Sequence, residues 1–146
     1  MIKTTPTDLL EQLISKAKSS GADSADAVFV ENRSLSVAQR LGKPESIERS
    51  EDKDLGLRVF VGKRNATVST TDMKPESLDK LIDRVVSMAK VAPEDPYARI
   101  ANASEIITSN PKIELFDPSE PSAEKLIERA SLAEEAALAV NGVTNS

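Results

Sequence analysis

Leu55, Leu57, Val59 and Val61 alternate with Gly56, Arg58 and Phe60 in an unbroken run. A period of two puts alternate side chains on opposite faces, so this stretch reads as a strand with one face buried. Gly62-Lys63-Arg64-Asn65 supplies a turn, and Ala66, Val68 and Thr70 resume the alternation. A connection this short joins antiparallel neighbours. Ala27-Val28-Phe29-Val30 is a continuous apolar run of the kind a strand covered on both faces shows. Leu35, Val37 and Leu41 alternate up to a turn at Gly42-Lys43-Pro44, and Ile47 marks a weak, peripheral strand among charged neighbours.

Helical spacing brackets this block. Thr5-Pro6-Thr7-Asp8 has a cap, a proline at the first helical position and an acid in the first turn. Leu9, Leu10, Leu13, Ile14 and Ala17 then form one stripe, stopped by Gly21. A second helix opens near Lys74-Pro75-Glu76 and carries Leu78, Leu81, Ile82, Val85, Ala89 and Ala92 as far as Pro93. The third is capped by Ser122, and Leu126, Ile127, Ala130, Ala133, Ala137, Leu138 and Val140 line one side before Gly142. Prolines 93, 96, 111, 118 and 121 loosen the chain between the last two, where only Ile113–Phe116 reads as a short strand. The expected fold is α+β: an antiparallel meander of four to five strands with two helices packed on one face, plus a C-terminal helix. The expected organisation is an N-terminal α+β domain at 1–100, a Pro-rich connector at 101–121, and a helical region at 122–146 leading into further chain.

Residue types absent from the chain narrow its chemistry. With no Cys and no His among 146 residues, thiol nucleophiles and thiolate or imidazole metal ligands are excluded, as is the commonest general base. The sequence therefore predicts no catalytic, cofactor-binding or metal-binding residues in this chain. A Ser–Lys hydrolase has no spacing signal. The net charge is −5, and residues 101–146 carry three basic and eight acidic side chains, so the surplus sits in the last third. No basic excess exists to neutralise phosphates, and four aromatics make no stacking platform, which argues against nucleic acid as a partner. The longest apolar run, Ala136–Val140, falls far short of the roughly 20 residues that span a bilayer. No leader pattern is present, and with the lack of Cys the expected location is cytoplasmic.

Several patterns imitate sites. Five residues lie between Gly56 and Gly62 where a phosphate loop needs four before its Gly-Lys, and Arg64 stands at the Ser/Thr position. Counted from Asp52, the charged run Glu51-Asp52-Lys53-Asp54 puts Gly56 and Leu57 at the fifth and sixth positions of a calcium loop, which fails the ligand pattern. Arg58 is either an anchor for a carboxylate or peptide, or an arginine on the solvated sheet face with its stem over apolar neighbours. Lys63-Arg64 at a turn, and Glu120, Glu124, Glu128, Glu134 and Glu135 along the third helix, read as solvated charge, the acids having no evident partner residue.

Three ordered segments carry a resemblance: Asp26-Ala-Val-Phe-Val-Glu31 leading to Ser34-Leu-Ser-Val37; Leu55-Gly-Leu-Arg-Val-Phe-Val-Gly62 followed by Val68-Ser-Thr-Thr-Asp72; and Met88-Ala89 leading to Glu94-Asp-Pro-Tyr-Ala98. Glu114-Leu-Phe-Asp-Pro118 and Gly142-Val-Thr-Asn-Ser146 extend it, over residues 22–146. Together they resemble the N-terminal domain of the TldD/PmbA family, and more the PmbA (TldE) branch. The chain departs at Ala66, where the family usually has Gly. The resemblance implies much longer cytoplasmic proteins that form TldD–PmbA assemblies with metallopeptidase activity. These are associated with proteolysis of unfolded peptides, peptide-antibiotic maturation, antitoxin degradation and, by an older name, modulation of DNA gyrase. The family's His-Glu-x-x-x-His motif belongs to the TldD branch and has no counterpart here. On this reading any zinc lies in a TldD-type partner, and the chain is a non-catalytic N-terminal module that pairs with such a subunit or with itself. A stand-alone protein-binding adaptor, such as a gyrase modulator, is the alternative from another class.

Overall fold

A computed structural model of the chain describes residues 5–109 and 111–146. Met1–Thr4 and Asn110, which open the first and interrupt the second of the expected regions, lie outside it. Helix α1 (Pro6–Ser19) is followed by strands β1 (Ser24–Arg40), β2 (Lys43–Val61) and β3 (Arg64–Thr70), helix α2 (Pro75–Val91), a 3-10 turn at Ala103–Glu105 and helix α3 (Ala123–Leu138). The strands form an antiparallel sheet in the order β1-β2-β3. Leu57 faces Val68 and Val59 faces Ala66 across the β2–β3 pair. The expected fold class holds, but the described residues form three strands, not four to five. Exposed polar stretches such as Glu31–Ser34 and Ser50–Asp54 read as breaks, yet the ladder is a backbone property and runs through them. The apolar runs at Ala27 and Leu35 are thus one strand, as are Ile47 and the Leu55 run.

Local chemistry sets the helix ends. At α1 the Asp8 amide donates to Thr5 Oγ1 at 3.1 Å, while the Thr5 amide donates to Asp8 Oδ2 at 2.8 Å, a reciprocal capping box. At its other end Gly21, with φ 107°, lets the Ala22 amide reach Ala17 O and its own amide reach Lys18 O, both at 3.1 Å. That paired closure satisfies the last carbonyls and turns the chain into β1. The entry to α2 is held by Asp72, which accepts from the Lys74 amide at 3.1 Å and from Ser77 Oγ at 2.7 Å. Those bonds hold its carboxyl below the usual range.

The chain divides into two compact units. The first comprises residues 1–31 and 52–110, the second residues 32–51 and 111–146, and both β1 and β2 contribute to each. In the first, Leu13 and Ala17 of α1 and Leu78, Leu81, Ile82, Val85, Val86 and Ala89 of α2 close over Ala25, Leu55, Leu57, Val59 and Ala66. Ala66 lies inside β3 with its methyl in this core. The turn is Gly62-Lys63, so the departure from the family's Gly falls in a packed strand. On the opposite sheet face Val28 is 56% and Val30 49% exposed, although Phe60 on β2 is buried, correcting the expectation that the Ala27–Val30 run is covered on both sides. β1 is an edge strand with helices on one face only.

In the second unit α3 is capped by Ser122, whose Oγ accepts from the Lys125 amide at 3.4 Å. On its apolar side Leu126 and Ala130 are half-buried, and Ala133 and Ala137 are exposed. The strand expected at Ile113–Phe116 is absent. The Ile113 amide donates to Pro111 O two residues back, at 2.9 Å, and is therefore not available to a ladder.

This one-sided burial predicts that Leu57→Ala costs about 2–5 kcal/mol, whereas Val28→Ala stays within about 0.5 kcal/mol. Urea unfolding of both variants measures the contrast, and equal costs would mean the helices cover the other face.

Candidate functional site

The open sheet face of the first unit holds the one sequence-predicted anchor. Arg58 on β2 stands beside Asp26 on β1, with Nε 3.0 Å from Oδ1 and Nη2 2.5 Å from Oδ2. The guanidinium carbon also lies 5.1 Å from the centre of the Phe60 ring, close enough for a cation–π contact. Gly56, Val28 and Thr67 complete a shallow depression of about 460 Å³ around the pair. Gly56 has no positive φ requirement; what it supplies is space, since a Cβ there would sit 3.1 Å from Val28 Cγ1. Hydrogen bonding to Asp26 raises the Arg58 pKa further, so the group stays charged. The Nε–Nη2 edge already holds a carboxylate, so a peptide carboxylate could take that edge only by displacing Asp26 and would otherwise meet Nη1.

The remaining candidates are absorbed by structure. Gly56–Lys63 runs as strand up to the turn, not as an open phosphate cradle. At that turn Arg64 pairs with Glu94 at 3.0 Å, Lys63 Nζ reaches Pro96 O at 3.5 Å, and the Asp95 amide donates to Lys63 O at 2.7 Å. These cations tie down the segment after α2. Glu51–Asp54 lies within β2, with Lys53 Nζ 3.5 Å from Glu31. Sequence reasoning did not find the Arg99–Glu105 pair, at 2.6 and 2.8 Å. Together with the Asn102 amide it brings the Glu105 carboxyl down to about 2.

Glu134 corrects the reading of α3 as evenly solvated acid. It is 7% exposed and accepts from Gln39 Nε2 and the Gly42 amide, each at 2.8 Å, and from Ser146 Oγ. No local pattern marks it, because two of these partners lie more than 90 residues away in sequence.

Residues 25–89 match the family described as PmbA/TldA metallopeptidase domain 1. The metalloprotease PmbA of Escherichia coli is 31% identical over 142 residues, covering 94% of this chain and 32% of that protein. Among solved structures, a Bacteroides thetaiotaomicron protein named for modulation of DNA gyrase superposes with a TM-score of 0.83 at 19% identity, over 94% of this chain and 32% of its own. TldE from Thermococcus kodakarensis does so with a TM-score of 0.65 at 20% identity, over 88% and 29%. Over residues 25–89 the chain is thus similar to the N-terminal domain of the TldD/PmbA family. It spans about a third of the length of the relatives it matches.

The family description implies a metal, and the donor set here does not fit one. His and Cys are absent from the sequence, and among the described residues no three Asp or Glu groups converge to hold an ion. Among the same residues no helix is long and apolar enough to cross a membrane.

Two measurements test these assignments. The Asp26 and Arg58 side chains are 43% and 46% exposed, so a double-mutant cycle with Asp26→Ala and Arg58→Ala should give a coupling of about 0.2–1 kcal/mol. A coupling above about 2 kcal/mol would reveal a desolvated site. For Glu134, the bonds from Gln39, Ser146 and Gly42 lower the carboxyl from 4.5 to about 2. A depressed folded-state value stabilises above the unfolded pKa and is lost on acidification. The stability difference between wild type and Glu134→Gln should therefore be constant above about pH 5 and shrink as pH falls from 4.5 toward 2. Denaturation curves across that range measure it, and a difference that does not vary with pH would contradict the assignment.

Proposed function

We propose that this chain is the non-catalytic N-terminal module of a PmbA/TldE-type subunit, serving assembly with a TldD-type partner and helping to enclose an unfolded peptide for proteolysis. The observation that carries the reading is the match along 94% of the chain to a metalloprotease three times its length, combined with a donor set unable to build a metal centre. In this reading zinc and the hydrolytic step belong to the partner, the assembly works in the cytoplasm, and residues 122–146 lead from the N-terminal domain and its 101–121 connector toward the remainder of the subunit. Homo-oligomer formation is the simpler variant of the same assembly. Peptide-antibiotic maturation, antitoxin degradation and modulation of gyrase are the roles such an assembly would serve. This chain's part in them is contact, because a serine mechanism lacks its histidine base and a thiol mechanism its cysteine.

The open face around Val28, Val30 and Arg58 supports a second reading, an adaptor that recruits a protein partner through this sheet surface. The two differ in outcome. Under the first, the purified chain neither binds zinc stoichiometrically at micromolar concentration nor cleaves unfolded peptides, and chelator-sensitive cleavage requires a TldD-type subunit together with a full-length PmbA-type chain. Calorimetry with zinc and a peptide-cleavage assay with chelator controls measure both. Chelator-sensitive turnover by the purified chain alone would overturn the non-catalytic assignment.

A further inference from the structure

The second unit is closed in an unusual way. All sixteen buried hydrophobic residues among those described belong to the first unit, and in the second the one buried residue is Glu134. Leu35 and Val37, which share a strand face with Gln39, are only half-buried, as are Leu126, Ile127 and Ala130 of α3. Partial burial on this scale is weak closure for a helix against a two-stranded ribbon, which is marginal by itself in water.

Polar contacts converge where apolar burial is thin. One oxygen of Glu134 takes the Gly42 amide and Gln39 Nε2, and the other takes Ser146 Oγ. Ser131, one turn earlier on α3, donates to Gln39 Oε1 at 2.9 Å, and so orients the amide that Glu134 accepts. Ser146 in turn accepts from the Leu41 amide at 3.4 Å, and Arg40 Nε reaches Asn145 Oδ1 at 3.3 Å. The β1–β2 turn, distant in sequence, therefore meets α3 and the nearby Ser146 at a single carboxylate.

That turn is strained. Leu41 has φ 49° and Gly42 φ 73°, the left-handed pair that tight hairpins require and that Asn-Gly normally supplies. A branched Leu in this region is an outlier, which persists only where its surroundings over-determine it. Both turn amides are captured, that of Gly42 by Glu134 and that of Leu41 by Ser146.

We propose that Glu134 is a latch: its charge-assisted hydrogen bonds, rather than apolar burial, hold α3 against the β1–β2 turn, and their loss opens the second unit while the first stays folded. Opening exposes Leu35 and Val37 on the ribbon and Leu126, Ile127 and Ala130 on α3, so the latch governs when these apolar side chains are available. Local opening of this kind draws on a low-stability part of a structure without global unfolding.

Amide hydrogen exchange on the whole chain is the test. Glu134→Ala should speed exchange at Gly42 and through 123–138 by tenfold or more, and leave 55–61 and 75–91 within twofold of wild type. Glu134→Gln keeps an acceptor oxygen for the turn and should fall between the two. Leu41→Gly, which relieves the turn, should slow exchange at Gly42 and recover part of the loss when combined with Glu134→Ala. Exchange at Gly42 and in 123–138 within twofold of wild type in Glu134→Ala would overturn the latch. Acceleration shared equally by 75–91 would overturn it too, because the first unit would then not be independent.

Discussion

The packing of α2 across Leu57 and Val59 is the contact on which the first unit depends. Val85 and Ile82 share one buried cluster with those strand residues, and the β2–β3 register puts Val68 opposite Leu57 and Ala66 opposite Val59. A methyl at Ala66 lets the helix approach β3 closely. Helix α1 adds Leu13 and Ala17 to the same side, and the closure at Gly21 returns the chain directly into β1. Two helices of 14 and 17 residues cover one sheet face. On the other face Val28, Val30 and the Asp26–Arg58 pair are exposed, while Phe60 is buried.

The two units use different physics. Burial of aliphatic side chains is non-directional and tolerates small shifts, which suits a domain that keeps its fold across relatives at about 20% identity. The second unit is held by directional bonds to one carboxylate. Such bonds are strong when complete, and leaving one partner unsatisfied is costly. Removing one side chain there has a sharper effect than trimming one aliphatic group from a larger core.

A metallopeptidase centre needs side chains that ligate zinc and a position left for water, and neither the composition nor the placement of the carboxylates offers the ligands. The first unit exposes Val28, Val30 and the Asp26–Arg58 pair on its sheet, and the second a helix whose apolar side is only partly covered.

The sequence by itself determined whatever depends on neighbours along the chain. The Thr5–Asp8 capping box, the stop at Gly21, the starts at Pro75 and Ser122 and the alternation from Leu55 to Val61 were all legible, because each is a bond or a periodicity within a few residues. So was the family, through ordered segments rather than any single motif. Tertiary structure alone decided the rest. Exposed polar stretches at Glu31–Ser34 and Ser50–Asp54 continue strands because pairing is made by the backbone, which composition does not reveal. Val28 lies open because no second layer covers β1. Glu134 is buried and Glu135 exposed, though the two are adjacent and chemically identical. Only one of them points at Gln39 and Gly42, and that depends on where a chain of 146 residues returns to itself.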